Sequence, residues 1–347
     1  QVQRKGREVE VTGGRAPGSD LTPVARFWEA HFGRGRWPVE DLYYGLIERF
    51  IRRIHIEDPT AFDQDRSRSA LYLANHQTAV ESLLFSIAVS GLSETPTVTL
   101  AKIEHRSTWL GRLIEHCFRY PGVIDPEVIT YFDRSDPASL GAIIERLAEG
   151  LRAPAGRNKS VMVHIEGTRA LSCRTPVQKM TSKFIDLALA VDVPIVPVRF
   201  TGGLPVEPLP ARTEFPVAGG TQDIFIGRPI RPAVFAATPY RERKALVIDA
   251  INNLGPCNAE ETPNPGDPAF VERVANRTVA TGVGAEHATL LEVLIDRAHE
   301  RPEQTHPFVT GLVTAATGAG LWPGASSSPL DQWGAELARR LLGTSAS

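Results

Sequence analysis

Leu71-Tyr-Leu-Ala-Asn-His-Gln-Thr-Ala-Val-Glu-Ser-Leu-Leu-Phe-Ser-Ile-Ala88 is the stretch on which the fold turns. Its first four residues are apolar and read as a short buried strand. Asn75-His76 makes a polar turn. Val80, Leu83, Leu84, Ile87 and Ala88 then recur at the i, i+3, i+4, i+7, i+8 spacing of one helix face. The same strand-turn-helix grammar continues downstream. Residues 97–101, 128–132, 161–165, 195–200 and 223–226 read as strands, with helices at 140–151 and 180–191. Such alternation predicts an α/β fold, a mixed and mostly parallel sheet flanked by helices. Three polar clusters, Asn75-His76, Asp133-Arg134 and Glu166-Gly-Thr-Arg169, each fall just past the C-terminal end of an expected strand. Ligands of open α/β sheets collect along that edge.

Outside this region the texture changes. Residues 1–20, with Gly13-Gly14 and Pro17-Gly18, read as a linker. Helices are expected at 23–32 and 39–56. The second carries an apolar stripe (Leu42, Tyr43, Leu46, Ile47, Phe50, Ile51, Ile54) and, on its other face, Arg49, Arg52 and Arg53. A basic amphipathic helix packs on its own core or lies on an anionic membrane. Beyond Pro256, the Pro-rich stretch 260–268 reads as a second linker, followed by helices near 269–278, 286–300, 307–316 and 329–342. The expected organisation is therefore a linker (1–20), an α/β domain with an N-terminal helical pair (21–256), and a C-terminal helical extension without evident chemistry (257–347).

With 42% hydrophobic and 22% charged residues in 347, this is an ordinary globular composition, and a net charge of -2 gives no reason to expect nucleic acid. The charge is unevenly placed. Between Arg152 and Lys183 seven basic residues face one acid, Glu166, bracketing the Glu-Gly-Thr-Arg turn. Cys117, Cys173 and Cys257 are widely spaced and odd in number, which excludes a disulfide framework or a cysteine zinc site. The longest apolar run, 83–92, falls short of the ~20 residues that span a bilayer. These features predict a cytoplasmic protein, at most peripheral to the inner membrane surface. The absent initiator methionine suggests excision from a longer chain.

His76 and Glu81 are five apart, about 140° around a regular helix, so they cannot meet within one. They can meet if His76 sits in the turn and Glu81 in the first helical turn, pointing back. A competing role is specific: Thr78-Ala-Val-Glu81 fits a capping box, in which the glutamate accepts a backbone N–H at the helix start. Both roles coexist only if the carboxylate divides its lone pairs. In Glu166-Gly167-Thr168-Arg169, glycine permits close backbone approach, threonine offers a hydroxyl, and arginine offers a fork for phosphate. Taken alone, that quartet is equally a polar turn with a surface ion pair.

The ordered set resembles the lysophospholipid and glycerol-phosphate acyltransferase family. Asn75-His76…Glu81, Tyr131-Phe-Asp-Arg134, His164-Ile-Glu-Gly-Thr-Arg-Ala170 and Val193-Pro-Ile-Val-Pro-Val198 stand where that family has its four blocks, over roughly residues 70–230. Lys102 stands where the family has a basic residue ahead of the second block. The resemblance implies that His76, oriented by Glu81, deprotonates an acceptor hydroxyl, which attacks an acyl thioester without an acyl-enzyme. It also implies that Lys102, Arg134, Glu166, Gly167, Thr168 and Arg169 hold the acceptor. The expected donor is acyl-CoA or acyl carrier protein, and the acceptor 1-acylglycerol-3-phosphate. Alternatives are glycerol-3-phosphate as acceptor, a thioesterase acting on a carrier-bound chain, or an inactive lipid- or carrier-binding module. The flanking linkers also suit a module of a multidomain lipid or polyketide-type synthase. Three departures stand out: Glu81 for aspartate, His164-Ile165 for Phe-Pro, and Ala170 for serine.

Other chemistries fit worse. There is no GxSxG elbow and no HExxH helix. His164-Ile-Glu166 has the H-x-E of zinc deaminases without their P-C-x-x-C. Neither cofactor nor metal is expected.

Overall fold

The computed structural model describes residues 7–9, 21–33, 37–117, 119–122, 128–133, 135–318 and 329–342; Arg134 lies outside them. Its strands are β1 (Arg7–Val9), β2 (Ile51–Ile56), β3 (Leu71–Ala74), β4 (Thr97–Lys102), β5 (Ile129–Phe132), β6 (Ser160–His164), β7 (Ile195–Thr201) and β8 (Gln222–Ile226). They form one sheet in the order β1-β2-β8-β7-β3-β6-β4-β5. The pairs β2–β8, β3–β6, β3–β7, β4–β5 and β4–β6 are parallel, and β1–β2 and β7–β8 are antiparallel. The sheet is thus mixed and mostly parallel.

The helices, in chain order, are α1 (Thr22–Phe32), α2 (Val39–Phe50), α3 (Pro59–Gln64), α4 (Glu81–Ser93), α5 (Trp109–Cys117), α6 (Pro137–Arg152) and α7 (Lys183–Val191). They continue with α8 (Pro232–Ala237), α9 (Arg243–Asn252), α10 (Pro268–Thr281), α11 (Ala285–Glu300), α12 (Pro307–Ala316) and α13 (Pro329–Leu342). Central β3 shows why a sheet buried on both faces needs unbroken apolar strands. Leu71 and Leu73 point into a core made with α6, α7, α8 and α9. Tyr72 and Ala74 point the other way, into a core shared with α1, α2, α4 and the C-terminal helices. The approach of α1 to α4 is close: a Cβ on Gly91 would meet the Val24 Cα at 2.5 Å. Trp28 on α1 ties the crossing by donating its indole N–H to the Ile87 carbonyl at 3.1 Å.

One expectation is corrected. The helix expected over 39–56 ends at Phe50, and Ile51-Arg-Arg-Ile-His-Ile56 is strand β2. Ile51, Ile54 and Ile56 are β-branched, and parallel pairing with β8 outweighs continuation of the helical stripe. The basic helix face therefore does not exist. Arg52 donates to Asp223 with its Nε at 2.8 Å, while Arg49 donates to the Gly219 carbonyl and lies 4.1 Å over the Phe270 ring. Within the 1–20 stretch, residues 7–9 pair with β2 as an edge strand. The helices beyond Pro256 pack on the N-terminal helices. Arg297 of α11 is buried against α2, donating to Asp41 at 2.9 Å and Glu48 at 2.6 Å.

Candidate active site

The turn after β3 and the start of α4 build the centre. Asn75 continues the sheet with its side chain: its amide donates to the Phe200 carbonyl at 2.9 Å and accepts the Phe200 N–H at 2.7 Å. That pairing pins the next residue, His76, at the strand end. Helix α4 begins at Glu81, whose carboxylate turns back over the helix start. Oε1 receives the His76 Nδ1–H at 2.9 Å and the Gln77 N–H at 2.7 Å. Oε2 receives the Thr78 N–H at 3.0 Å and the Gln222 amide at 2.8 Å. Because the helix starts at Glu81 itself, Thr78-Ala-Val-Glu81 does not form the expected capping box; the carboxylate instead binds the turn ahead of the helix and orients the histidine at once. The extra methylene of glutamate lets one side chain reach both.

The second motif is tied to the first. Glu166, just past β6, accepts the His76 backbone N–H at 2.9 Å, and Ala170 N–H donates to the His76 carbonyl at 2.8 Å. Gly167 turns the chain between them with φ of 68°, a left-handed conformation that other residues adopt with strain. His164, the last residue of β6, stacks on His76 with ring centroids 3.6 Å apart and planes within 11°.

These residues open on a cavity of about 780 Å³. One part of its wall is cationic and polar: Lys102, His105, Arg169, Lys179, Lys183 and Arg212, with Thr168 and Gly167. Another part is apolar: Leu83, Leu100, Leu110, Ile114, Ile129, Phe132, Ile144 and Phe184. Arg169 is partly engaged, its Nη1 donating to the Thr213 carbonyl at 2.6 Å and to Glu214 at 2.9 Å.

Burial holds the His76 imidazole well below its usual pKa, and Arg169, His105, Lys102 and Arg212 push it the same way. It is neutral at pH 7, and because Glu81 can only accept, the proton sits on Nδ1. The unprotonated Nε2 then belongs to a ring that lines the cavity, the arrangement of a general base. Burial raises Glu81 above the ordinary carboxylate range, opposed by His164 and by hydrogen bonds from Gln222, Thr78 and Gln77. Glu166 is pushed up by burial to about 7.

Of the residues picked out from sequence, His76, Lys102, Glu166, Gly167, Thr168 and Arg169 all line this one cavity, and Glu81 braces it from behind. Residues 53–201 match the acyltransferase family. That stretch takes in β3 to β7 and holds His76, Glu81, Lys102 and the Glu-Gly-Thr-Arg turn. A 1-acyl-sn-glycerol-3-phosphate acyltransferase of Cocos nucifera is 33% identical over 134 residues, 38% of this chain and 37% of that protein. A protein of the same name from Limnanthes douglasii is 32% identical over 141 residues, 39% of this chain and 42% of that protein. The chain thus matches less than half the length of each of these relatives.

Sequence reading missed several members of the site. Arg212 sits in a loop and His105 in a 3-10 turn over Ile103–Ser107, neither with a motif around it. His164 registered only as a departure from the third block and as the first residue of an H-x-E pattern that lacked its partner cysteines. Glu261, in the Pro-rich stretch that reads as a linker, is 2% exposed. It accepts from Gln77 at 2.8 Å, from Gly202 N–H at 3.0 Å and from the buried Arg199 at 2.6 Å. Among the described residues, no helix is long and apolar enough to cross a membrane.

Proposed function

We propose that this protein transfers a fatty acyl group from an acyl thioester, on coenzyme A or acyl carrier protein, to the free hydroxyl of 1-acylglycerol-3-phosphate. The observation that carries the reading is a neutral His76, its Nδ1 held 2.9 Å from Glu81, in a cavity with both a cationic and an apolar wall. Nε2 of His76 takes the hydroxyl proton as the oxygen attacks the thioester carbon. The imidazolium formed is stabilised by Glu81, whose carboxylate is already in place. The tetrahedral intermediate then expels the thiolate, which recovers the proton from Nε2, so the ester and the free thiol leave a regenerated base.

The wall divides the substrates by chemistry. Lys102, Arg169, Lys179, Lys183 and Arg212 offer the charge and hydrogen-bond donors that a phosphate monoester requires. The leucine, isoleucine and phenylalanine side chains offer an acyl chain about 0.8 kcal/mol per buried methylene. The two relatives bear the name of this same activity, which supports the choice of acceptor.

The test is to supply an acyl thioester with 1-acylglycerol-3-phosphate, with glycerol-3-phosphate, or with no acceptor, and to follow thiol release and lipid product. Acceptor-dependent thiol release that yields the diacyl product is expected, and His76→Ala should slow it by about 10²–10⁴-fold. Free fatty acid formed without acceptor would make the protein a thioesterase. No thiol release with any acceptor would make it a binding module. Full activity in His76→Ala would remove the base from His76.

A further inference from the structure

His164 does something that acyl transfer does not ask of it. Its Nδ1 lies 2.5 Å from the Asn75 carbonyl oxygen. A carbonyl can only accept, so Nδ1 carries the ring proton and Nε2 carries a lone pair. That Nε2 is buried without a hydrogen-bond partner. It faces Glu81 Oε1 at 3.8 Å. Two acceptors confront each other in a place from which water is largely excluded, which is unfavourable unless a cation sits between them.

His76 completes the set. One nitrogen from each ring and a carboxylate oxygen of Glu81 lie within 4.8 Å of one another. Bonds of about 2.0–2.2 Å place the ligands of tetrahedral zinc roughly 3.3 Å apart, so the cluster closes on an ion when the two rings, stacked with planes within 11°, tilt to aim both lone pairs at it. Two imidazoles and a carboxylate suit zinc and its neighbours rather than magnesium or calcium, which prefer all-oxygen shells. We propose that His76 Nδ1, His164 Nε2 and Glu81 Oε1 form a binding site for a zinc-class divalent cation, with the fourth position open to the cavity.

Occupancy has a defined consequence. The metal replaces the proton on His76 Nδ1, and that proton moves to Nε2, leaving the ring neutral. Nε2 then has no lone pair to accept a substrate proton. The site is an off-switch for the base, and this consequence rests on the acyl-transfer reading, whereas binding itself does not. The cations Arg169, Lys102 and Arg212 around the cavity oppose a further positive charge, so the ion exchanges and chelators remove it.

The whole chain is titrated with cobalt(II), read by its d–d absorption, and with zinc, read by competition with a chromogenic chelator. His164→Asn keeps an N–H placed for the Asn75 carbonyl and deletes the Nε2 ligand; His164→Phe deletes both. Wild type is expected to bind one ion that gives a low-symmetry cobalt spectrum. Both variants should lose that spectrum and bind zinc more weakly by over about tenfold, the loss that even an outer-shell change brings. Equal affinity and equal spectra in wild type and in a His164→Asn variant of native circular dichroism would overturn the site. Zinc should also suppress thiol release in wild type and EDTA should restore it. Zinc binding that depends on His164 in a protein without acyl-transfer activity would refute the acyl-transfer reading and leave the metal site standing.

Discussion

Glu81 and Glu261 are both buried, at 0% and 2% exposure, and stand at opposite ends of one hydrogen-bonded chain. From Glu81 the chain runs through Gln222 (2.8 Å), Gln77 (3.3 Å) and Glu261 (2.8 Å) to Arg199 (2.6 Å). They differ in what neutralises them. Glu261 faces a guanidinium that is always charged, and Arg199 spends its other donors on the carbonyls of Asn252, Leu254 and Pro256. Its charge is compensated in the resting protein, and the pair locks the end of α9 onto β7. Glu81 faces an imidazole that burial keeps neutral. Its charge is held by the N–H dipoles of Gln77 and Thr78 and by Gln222, and meets a full positive charge only when His76 takes a proton. One carboxylate serves geometry and the other, on the proposed mechanism, the transition state.

Substitutions should separate the two. The largest effect is expected at Glu261→Ala, which strands Arg199 as an uncompensated buried charge. Unfolding by urea should show a loss of about 3–5 kcal/mol. A loss under about 1 kcal/mol would mean that Arg199 finds solvent or another acceptor, and the comparison would break on that side. Glu81→Gln should reverse the pattern. It turns an amide toward backbone donors, at about 1–3 kcal/mol of stability. It also removes the counter-charge of the imidazolium, so thiol release should fall by about 10²-fold or more at saturating substrate. If Glu81→Gln instead keeps its activity and unfolds as easily as Glu261→Ala, Glu81 merely braces the turn.

How legible this was in the sequence follows from how local each signal is. The strand-turn-helix of 71–88 with its acid reaching back to His76, and the Glu-Gly-Thr-Arg turn, are each contiguous and so each readable locally, and their shared place past strand ends and the family resemblance joined them. The helix at 39–56 misled because Ile51 and Ile54 satisfy a helical stripe and a β-strand alike; pairing with β8, 171 residues downstream from Arg52 to Asp223, decides it. The structural partners of the motif were invisible for the same reason. Gln77, Gln222 and Glu261 are ordinary polar residues in sequence, and only the fold sets Gln77 and Glu261, 184 residues apart, at 2.8 Å. A Pro-rich stretch looks solvated until its one buried acid is seen.

The smallest predicted effect probes a third carboxylate against these two. Glu166 has neither a fixed cation like Arg199 nor the ring of donors around Glu81; it accepts the His76 N–H, and burial raises it to about 7. Below that pH it is a neutral acid on the cavity wall, able to donate to a phosphate oxygen; above it, a second anion beside the phosphate. The KM for a phosphate acceptor should therefore rise a few-fold as pH passes through about 7, and Glu166→Gln, which keeps an acceptor for His76, should remove that rise. The acceptor's own second ionisation, near 6, is common to both proteins and cancels in their ratio. Stability gives an independent sign. A folded-state pKa raised above the unfolded value of about 4.3 contributes stability fully at pH below 4.3, and loses it as pH climbs through 7. Glu166→Gln should accordingly gain Tm relative to wild type between pH 5 and about 8, with no further gain beyond. A KM ratio and a Tm difference that are both flat across this range would place Glu166 with Glu81, as an anion whose charge the resting site already accommodates.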